Sequence, residues 1–414
     1  MNGAVLVINS GSSSIKFALY PSSSRNGEPT ALYDGEIEGI GDAARLRVRD
    51  ADGKPLVETA ISGPATHHAA LSALLEWIAG HASGTELSAA GHRVVHGGRE
   101  FTGPIRLTSD AIAKLEALNP LAPLHQPHNL AAIKALSKLH SKLPQVACFD
   151  TSFHTSQPAV ATAFALPRAL SEKGVRRYGF HGLSYEYIAS ILPEHLGAKA
   201  DSKVVVAHLG HGASMCAMVK RRSIATTMGF SALDGLVMGR RCGVLDPGVI
   251  LYLLDHESMN SKQITHLLYE ESGLFGVSSI SDDMRELLAS GDTRAAEAVE
   301  LFVYRIVREL GSLAAALGGL DALVFTGGIG EHSPEIRARV CQQVAWLGVR
   351  LDERANGAGE PKIGTEDSAV DVLALTTNEE YVIARHVRDM IGSASVSSQR
   401  GSREFFQRAA NART

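Results

Sequence analysis

The sequence predicts an α/β protein in which one strand-and-loop unit has been used twice. Three observations carry this. Short β-branched runs at Ala4–Ile8, Val204–Ala207 and Ala322–Phe325 feed directly into the glycine turns NSGSSS, HLGHGAS and TGGIGE. The first two turns are followed by a second apolar run, Ile15–Tyr20 and Met215–Val219, which makes each a hairpin. That pattern returns at Gly210 having first been met at Gly11, about half a chain earlier.

Helical periodicity fills the space between the strands. It marks Ala69–Ala79, Asn129–Leu139, Ser184–Leu196, Thr293–Leu317 and Asn378–Met390, with Pro193 expected to break or kink the third of these. The run from Ser333 to Trp346 carries its own punctuation: a serine N-cap, Pro334 at the first helical position, Glu335 in the first turn and Gly348 past the end. Beyond Ile391 the chain is rich in Ser and Arg with little apolar periodicity, and reads as a mobile extension.

A length of 414 residues suits two or three domains. Forty Lys and Arg against 44 Asp and Glu leave a formal charge of −4, so no basic excess points to nucleic acid or an anionic membrane. The four cysteines (Cys148, Cys216, Cys242, Cys341) form no C-x-x-C pair or zinc spacing and read as reduced, buried thiols. The N-terminal apolar run is too short for a signal peptide, and glycines and Asp321 interrupt the longest apolar stretch. The expectation is a soluble cytoplasmic protein without nucleic-acid or membrane partners.

Glycine turns after strands expose backbone N–H groups against which a polyphosphate can lie. One such turn is weak evidence, and neither the Walker pattern nor a G-x-G-x-x-G opening a helix is present. Three, two of them in duplicate halves, point to a nucleotide held between two lobes. Imidazole and guanidinium groups collect in segments around GHRVVHGG, APLHQP, FDTSFH, RYGFHG and MGRRCG. Taken singly each is ordinary, but arginines beside glycine turns suit an anionic substrate, because the guanidinium offers a planar fork to carboxylate or phosphate.

Nine segments in order, NSGSSSIKF, GHRVVHGG, APLH, FDTSFH, RYGFHG, HLGHGAS, RRCG, FTGGIGE and TNEE, resemble the acetate/propionate/butyrate kinase (acetokinase) family from about Val5 to Met390. The resemblance implies two ribonuclease-H-like lobes of the actin and sugar kinase superfold with a nucleotide cleft between them. On that reading the N-terminal lobe is 1–150 completed by 385–414, and the C-terminal, nucleotide-binding lobe is 151–384. It implies reversible phosphoryl transfer from ATP to acetate, with Mg²⁺ or Mn²⁺, in a homodimer whose partners are a small carboxylate and a nucleotide.

By the same resemblance Arg93, Asp150, His181, Arg241 and His125 are catalytic, and Val95, Leu124, Phe180 and Ala232 line the acyl pocket. Ser12, Ser14 and Lys16 form the first phosphate loop, and His208, Gly210, His211 and Gly212 the second. Asp283, Arg285, Gly328, Ile329 and Gly330 face adenosine, while Asn9 and Glu379 serve the metal. Five positions depart from the family pattern. His211 and His332 stand in place of Asn, Arg240 and Val244 in place of a small hydroxyl residue and an acid, and Ala232 in place of proline. The alternatives are a propionate kinase and, more remotely, an ATP-driven switch protein of the same superfold.

Overall fold

The computed structural model describes residues 3–22, 30–81 and 86–392, so the Ser/Arg-rich tail from 393 on lies outside the described residues. The chain divides into two compact units, one made of the residues up to Asp150 and those from Glu379 on, the other of Thr151–Asn378. The return to the first unit thus falls at Glu379 rather than at 385. The reason is local: residues 379–392 form one helix, and it lies so close to the first sheet that a Cβ on Gly91 would meet Ile383 Cγ2 at 2.5 Å and Val387 Cγ2 at 2.7 Å.

In the first unit the strands are β1 (Gly3–Ser10), β2 (Ser14–Pro21), β3 (Tyr33–Glu38), β4 (Arg45–Asp50), β5 (Pro55–Ala60), β6 (Glu86–Val94), β7 (Ile105–Arg106) and β8 (Gln145–Phe149). Their order is β5-β4-β3-β2-β1-β6-β8-β7. β1, β6 and β8 are parallel, and the hairpin partners β2 to β5 are antiparallel. The central strands are nearly continuous apolar runs because both faces are covered, whereas β4, RLRVRD, alternates exposed and buried as a strand with one wet face does. Helices His67–His81 and Gln126–Leu139 supply Leu71, Leu74, Trp77 and Leu136 to the core beneath Leu6, Ile8, Phe17 and Leu19.

The second unit repeats the plan. Strands β9 (Val204–Leu209), β10 (Ala213–Val219), β11 (Arg222–Thr226), β12 (Ala322–Thr326) and β13 (Asp371–Ala374) are ordered β11-β10-β9-β12-β13. Read outward from the first strand, β3-β2-β1-β6-β8 and β11-β10-β9-β12-β13 have the same order and the same pattern of two antiparallel and two parallel neighbours. This is the duplicated ribonuclease-H-like arrangement. Helix Gly182–Leu196 runs through Pro193 without ending there. The helix after Ser333 is Pro334–Gln343, followed by a separate 3₁₀ turn at Ala345–Leu347.

Open parallel sheets gather ligand residues outside the carboxyl ends of their strands. Here those ends carry Asn9 on β1, Arg93 on β6 and Asp150 just after β8, with His208 to Gly212 at the end of β9 and Gly327 to Gly330 after β12.

Two buried histidines on and just after β6 make the first unit sensitive to acid. His92 Nε2 meets Gln145 Oε1 at 2.7 Å, and His96 Nδ1 accepts from the Gly98 N–H at 2.8 Å. Burial pushes both imidazoles down to about 4. In the unfolded chain each binds a proton near 6.5, so the unfolded state gains protons first and stability falls as pH drops from about 6.5 towards 4. Each group contributes on the order of 3 kcal/mol to that loss. Urea unfolding at pH 7.5, 6 and 5 should show the midpoint falling steadily, and the His92→Gln/His96→Gln pair should flatten the trend. A wild-type midpoint constant from pH 7.5 to 5 would refute it.

Candidate active site

In the first unit everything converges on Arg93. Its Nε and Nη2 donate to Asp150 Oδ1 and Oδ2 at 2.8 and 2.7 Å, a bidentate fork that fixes the guanidinium plane. Asp150 is only 2% exposed, and its N–H is tied to the Val94 carbonyl at 3.1 Å. The third nitrogen, Nη1, lies 3.5 Å from Asn9 Oδ1 and 3.6 Å from Glu379 Oε2. Burial alone would lower the Arg93 pKa, but Asp150, Glu379 and Glu380 outweigh it and hold the arginine firmly charged. The Glu380 pKa is pushed upward by burial and by Glu379 beside it.

Asn9 Oδ1 and Glu379 Oε2 therefore face one cationic nitrogen, an all-oxygen donor pair of the kind a hard divalent cation takes. No three His, Cys, Asp or Glu side chains form a metal cluster among the described residues. Residues near the Asn9 strand are held by polar groups that the helix Gln126–Leu139 turns inward. Asn129 Nδ2 donates to the Ser10 carbonyl at 2.6 Å and its Oδ1 accepts from the Val95 N–H at 3.0 Å. Gln126 brackets His96, accepting from its N–H at 3.1 Å and donating to its carbonyl at 3.0 Å.

In the second unit the side chains surround the β9–β10 turn. His181 stands at the start of helix Gly182–Leu196 in the left-handed conformation, φ 56°, which costs a non-glycine residue on the order of 1 kcal/mol. Its Nδ1 bonds Ser214 Oγ at 2.8 Å, which Tyr185 OH meets at 2.5 Å. The ring stacks on His208 at 4.3 Å, and His208 Nδ1 meets Ser184 Oγ at 2.8 Å, itself an acceptor from Thr377 Oγ1 at 2.9 Å. These hydroxyls hold the Nδ1 atoms, and the Nε2 side of each imidazole is turned toward the turn. Gly212 is bordered by both side chains: a Cβ there would lie 3.0 Å from Arg241 Nη2 and 3.3 Å from His181 Nε2. Arg241 Nη1 donates to the Ala232 carbonyl at 2.7 Å.

The β12 turn forms the helix Gly327–His332, closed by Glu331, whose Oε1 accepts from the Gly327 N–H at 2.8 Å and the Thr377 N–H at 3.2 Å. A Cβ on Gly328 would meet nothing within 4 Å, so this turn presents open backbone. Arg337, fully buried, donates to the Gly330 and Glu331 carbonyls and anchors the helix from beneath.

The structure brings Asn9, Arg93, Asp150 and Glu379 together in the first unit, and His181, His208, Gly210, Gly212 and Arg241 in the second. Ser12 and Lys16 are exposed and Ser14 half-buried around the β1–β2 turn, which the Gly11 N–H to Ser14 carbonyl bond closes at 2.8 Å. His125 immediately precedes helix Gln126–Leu139 and Leu124 is exposed beside it. The residues expected at an acyl pocket divide, with Val95 and Leu124 in the first unit and Phe180 and Ala232 in the second. Phe180 is buried to 1% exposure, and its carbonyl accepts from His154. Asp283 caps helix Met284–Ala289 and pairs with Arg285, while His211 points to Asp282 at 3.3 Å. Sequence reading missed Asn129, Gln126, Ser184, Ser214, Glu331 and Asp282. Asn129 and Gln126 had a signal, two amides at helical spacing on an otherwise apolar face, and Ser214 and Glu331 closed the HLGHGAS and FTGGIGE segments.

The Acetokinase family model matches residues 4–385. The acetate kinase of Rhodopseudomonas palustris is 61% identical over 393 residues, covering 94% of this chain and 98% of that protein. Two solved structures are similar over the same span. The Porphyromonas gingivalis acetate kinase gives a TM-score of 0.84 at 35% identity, covering 94% of this chain and all of that one. A propionate kinase from Francisella tularensis gives 0.85 at 35% identity, covering 92% and 98%.

Proposed function

The chain belongs to the acetokinase family, and from that premise we infer that it is an acetate kinase, transferring the terminal phosphoryl group of ATP to acetate and back. A carboxylate oxygen of acetate attacks the γ-phosphorus in line, the bond to the bridging oxygen breaks, and its electron pair leaves on ADP. Acetate is already an anion, so no general base is needed; the main barrier is the repulsion between two anions. The observation that carries the chemistry is Arg93 locked in plane by Asp150, a preorganised cation for the charge that spreads over the transferring group.

Arg241 and His181 are assigned the same task from the second unit, where both border Gly212. The Gly210–Gly212 turn, with His208 Nε2 beside it, is assigned to the nucleotide phosphates, and the open backbone at Gly328 to the adenosine side. Ser12, Ser14 and Lys16 are assigned to the first phosphate turn, and Asp283 and Arg285 to adenosine. Asn9 and Glu379 would hold Mg²⁺, which when bound supplies charge neutralisation at the phosphate oxygens. Glu379→Ala should then raise the Mg²⁺ concentration needed for half-maximal activity and lower kcat. A magnesium titration superimposable on wild type would move the metal role to Glu380.

Trapping with hydroxylamine tests the reaction. Acetate, ATP and Mg²⁺ should yield acetohydroxamate in step with ADP, whereas ADP without hydroxamate would indicate a switch ATPase. Propionate should be accepted with kcat/KM within about tenfold of acetate, since one methylene rarely separates substrates by more than roughly 1–3 kcal/mol and Ala232 is smaller than the proline usual in the family. Undetectable propionyl hydroxamate would refute that.

The assembly assigned is a homodimer. Helix Pro247–Asp255, PGVILYLLD, has no buried residue within the chain, and Val249, Leu251, Tyr252 and Leu254 are exposed. Such an apolar face is stabilised by burial against a second copy. Sedimentation of Leu251→Glu should show monomer, and a monomeric wild type would refute the assignment. No helix among the described residues is long and apolar enough to cross a membrane, and the four free thiols suit the reducing cytoplasm.

A further inference from the structure

Two of the departures from the family pattern, His211 and Arg240, meet on one carboxylate. Asp282 Oδ2 accepts from Arg240 Nε at 2.6 Å and lies 3.3 Å from His211 Nε2. The Arg240 guanidinium is held on its other sides too, 4.3 Å over the Phe275 ring and bonded through Nη1 to the Glu270 carbonyl at 3.1 Å. Three segments are tied at this point: the phosphate turn through His211, the loop of the paired arginines through Arg240, and the segment before helix Met284–Ala289 through Asp282. The backbone repeats the tie, with the Gly239 N–H donating to the His211 carbonyl at 2.9 Å and the Ser272 N–H to the Arg240 carbonyl at 3.1 Å.

Arg240 and Arg241 are consecutive, yet they do different things. Arg241 lies against Gly212, and Arg240 is turned onto Asp282 and Phe275. A loose second cation next to the phosphate turn would bind phosphate oxygens in competition with Arg241, and a nucleotide so held is out of line for transfer. We propose that Asp282 is a positioning residue for phosphoryl transfer: its carboxylate, with Phe275, sequesters Arg240 and so leaves Arg241 as the arginine of the pair that serves the phosphate. The inference rests on the assignment of Arg241 to the transferring group. Burial would raise the Asp282 pKa, but the hydrogen bonds from Arg240 and His211 outweigh it and keep the carboxylate charged across the working range.

The test is a set of variants assayed for hydroxamate, with KM measured for ATP and acetate. Asp282→Ala should lower kcat about tenfold without raising KM for ATP, the signature of nonproductive binding rather than of a lost contact. Asp282→Asn, which keeps an acceptor but not the charge, should fall between. Adding Arg240→Ser to Asp282→Ala should bring kcat back to within about threefold of wild type, which no general loosening of the loop would do. A raised KM for ATP with no rescue by Arg240→Ser overturns the proposal, as does wild-type kcat in Asp282→Ala. If Asp282→Ala alone does not fold, the Asp282→Ala/Arg240→Ser pair decides: activity within threefold of wild type supports the proposal, and a deeper loss overturns it. Arg241→Ala separates the premise from the inference. Full activity there defeats the assignment of Arg241, whereas an inactive Arg241→Ala beside a normal Asp282→Ala defeats only the role of Asp282.

Discussion

Arg93→Ala should lower kcat by roughly 10³-fold or more, the scale on which an arginine acts in a phosphoryl transition state, and should also destabilise the first unit. The second effect follows from Asp150. That carboxylate is 2% exposed and takes a bidentate pair of bonds from Arg93, so removing the guanidinium takes away the cation that faces a buried charge. Breaking such a pair from one side costs about 3–5 kcal/mol. Arg93→Ala/Asp150→Ala should therefore regain most of the lost stability and none of the activity. Urea midpoints and hydroxamate rates on both variants check the two halves separately. More than a tenth of wild-type kcat in Arg93→Ala removes the residue from the transition state, and equal stability of the single and double variants removes the buried-charge argument.

Arg241→Ala should cost a similar factor in kcat, again about 10³-fold, with a different thermodynamic signature. Arg241 donates to a backbone carbonyl, that of Ala232. Losing one such bond is worth on the order of 1 kcal/mol, so the melting temperature should move little while activity collapses. Arg241→Lys should recover almost none of it, because an ammonium cannot reproduce the planar fork. A lysine variant with a tenth or more of wild-type kcat would show that charge alone suffices at this position.

The parts of the fold that could be read from the sequence are those where one physical requirement dominates. Strands β1, β9 and β12 are covered on both faces and so become uninterrupted apolar runs, and their glycine turns follow at once. Strands β4 and β5 escaped because charged and polar side chains share them, RLRVRD and PLVETA, with the apolar residues left as a sparse alternation. At the site, Arg93 and Asp150 stood out singly, by a glycine turn and a strand end. Their bidentate pairing was hidden because β6 and β8 become neighbours only through the sheet order. Asp282 had no signal at all. An Asp-Asp pair before a helix reads as capping, and Asp283 alone fulfils that need by accepting from the Arg285 N–H. The resemblance to a family supplied roles for residues that lie in different units; physical chemistry alone supplied the loops.

The first unit is interrupted: it begins with the chain, stops at Asp150 and is taken up again only at Glu379. On the ribosome, domains fold in the order in which they emerge, which gives Arg93 an unusual birth. Asp150 reaches it early, but the helix that covers Gly91 and carries Glu379 is translated only after the whole second unit has been made. Until then β6 lacks the cover of Ile383 and Val387 at Gly91, and Arg93 has Asp150 but neither Glu379 nor Glu380. A nascent chain stalled before Glu379 should thus carry a finished second unit and a first unit still open to proteases, and the machinery comes into being only with helix 379–392, the last of the described residues to be synthesised.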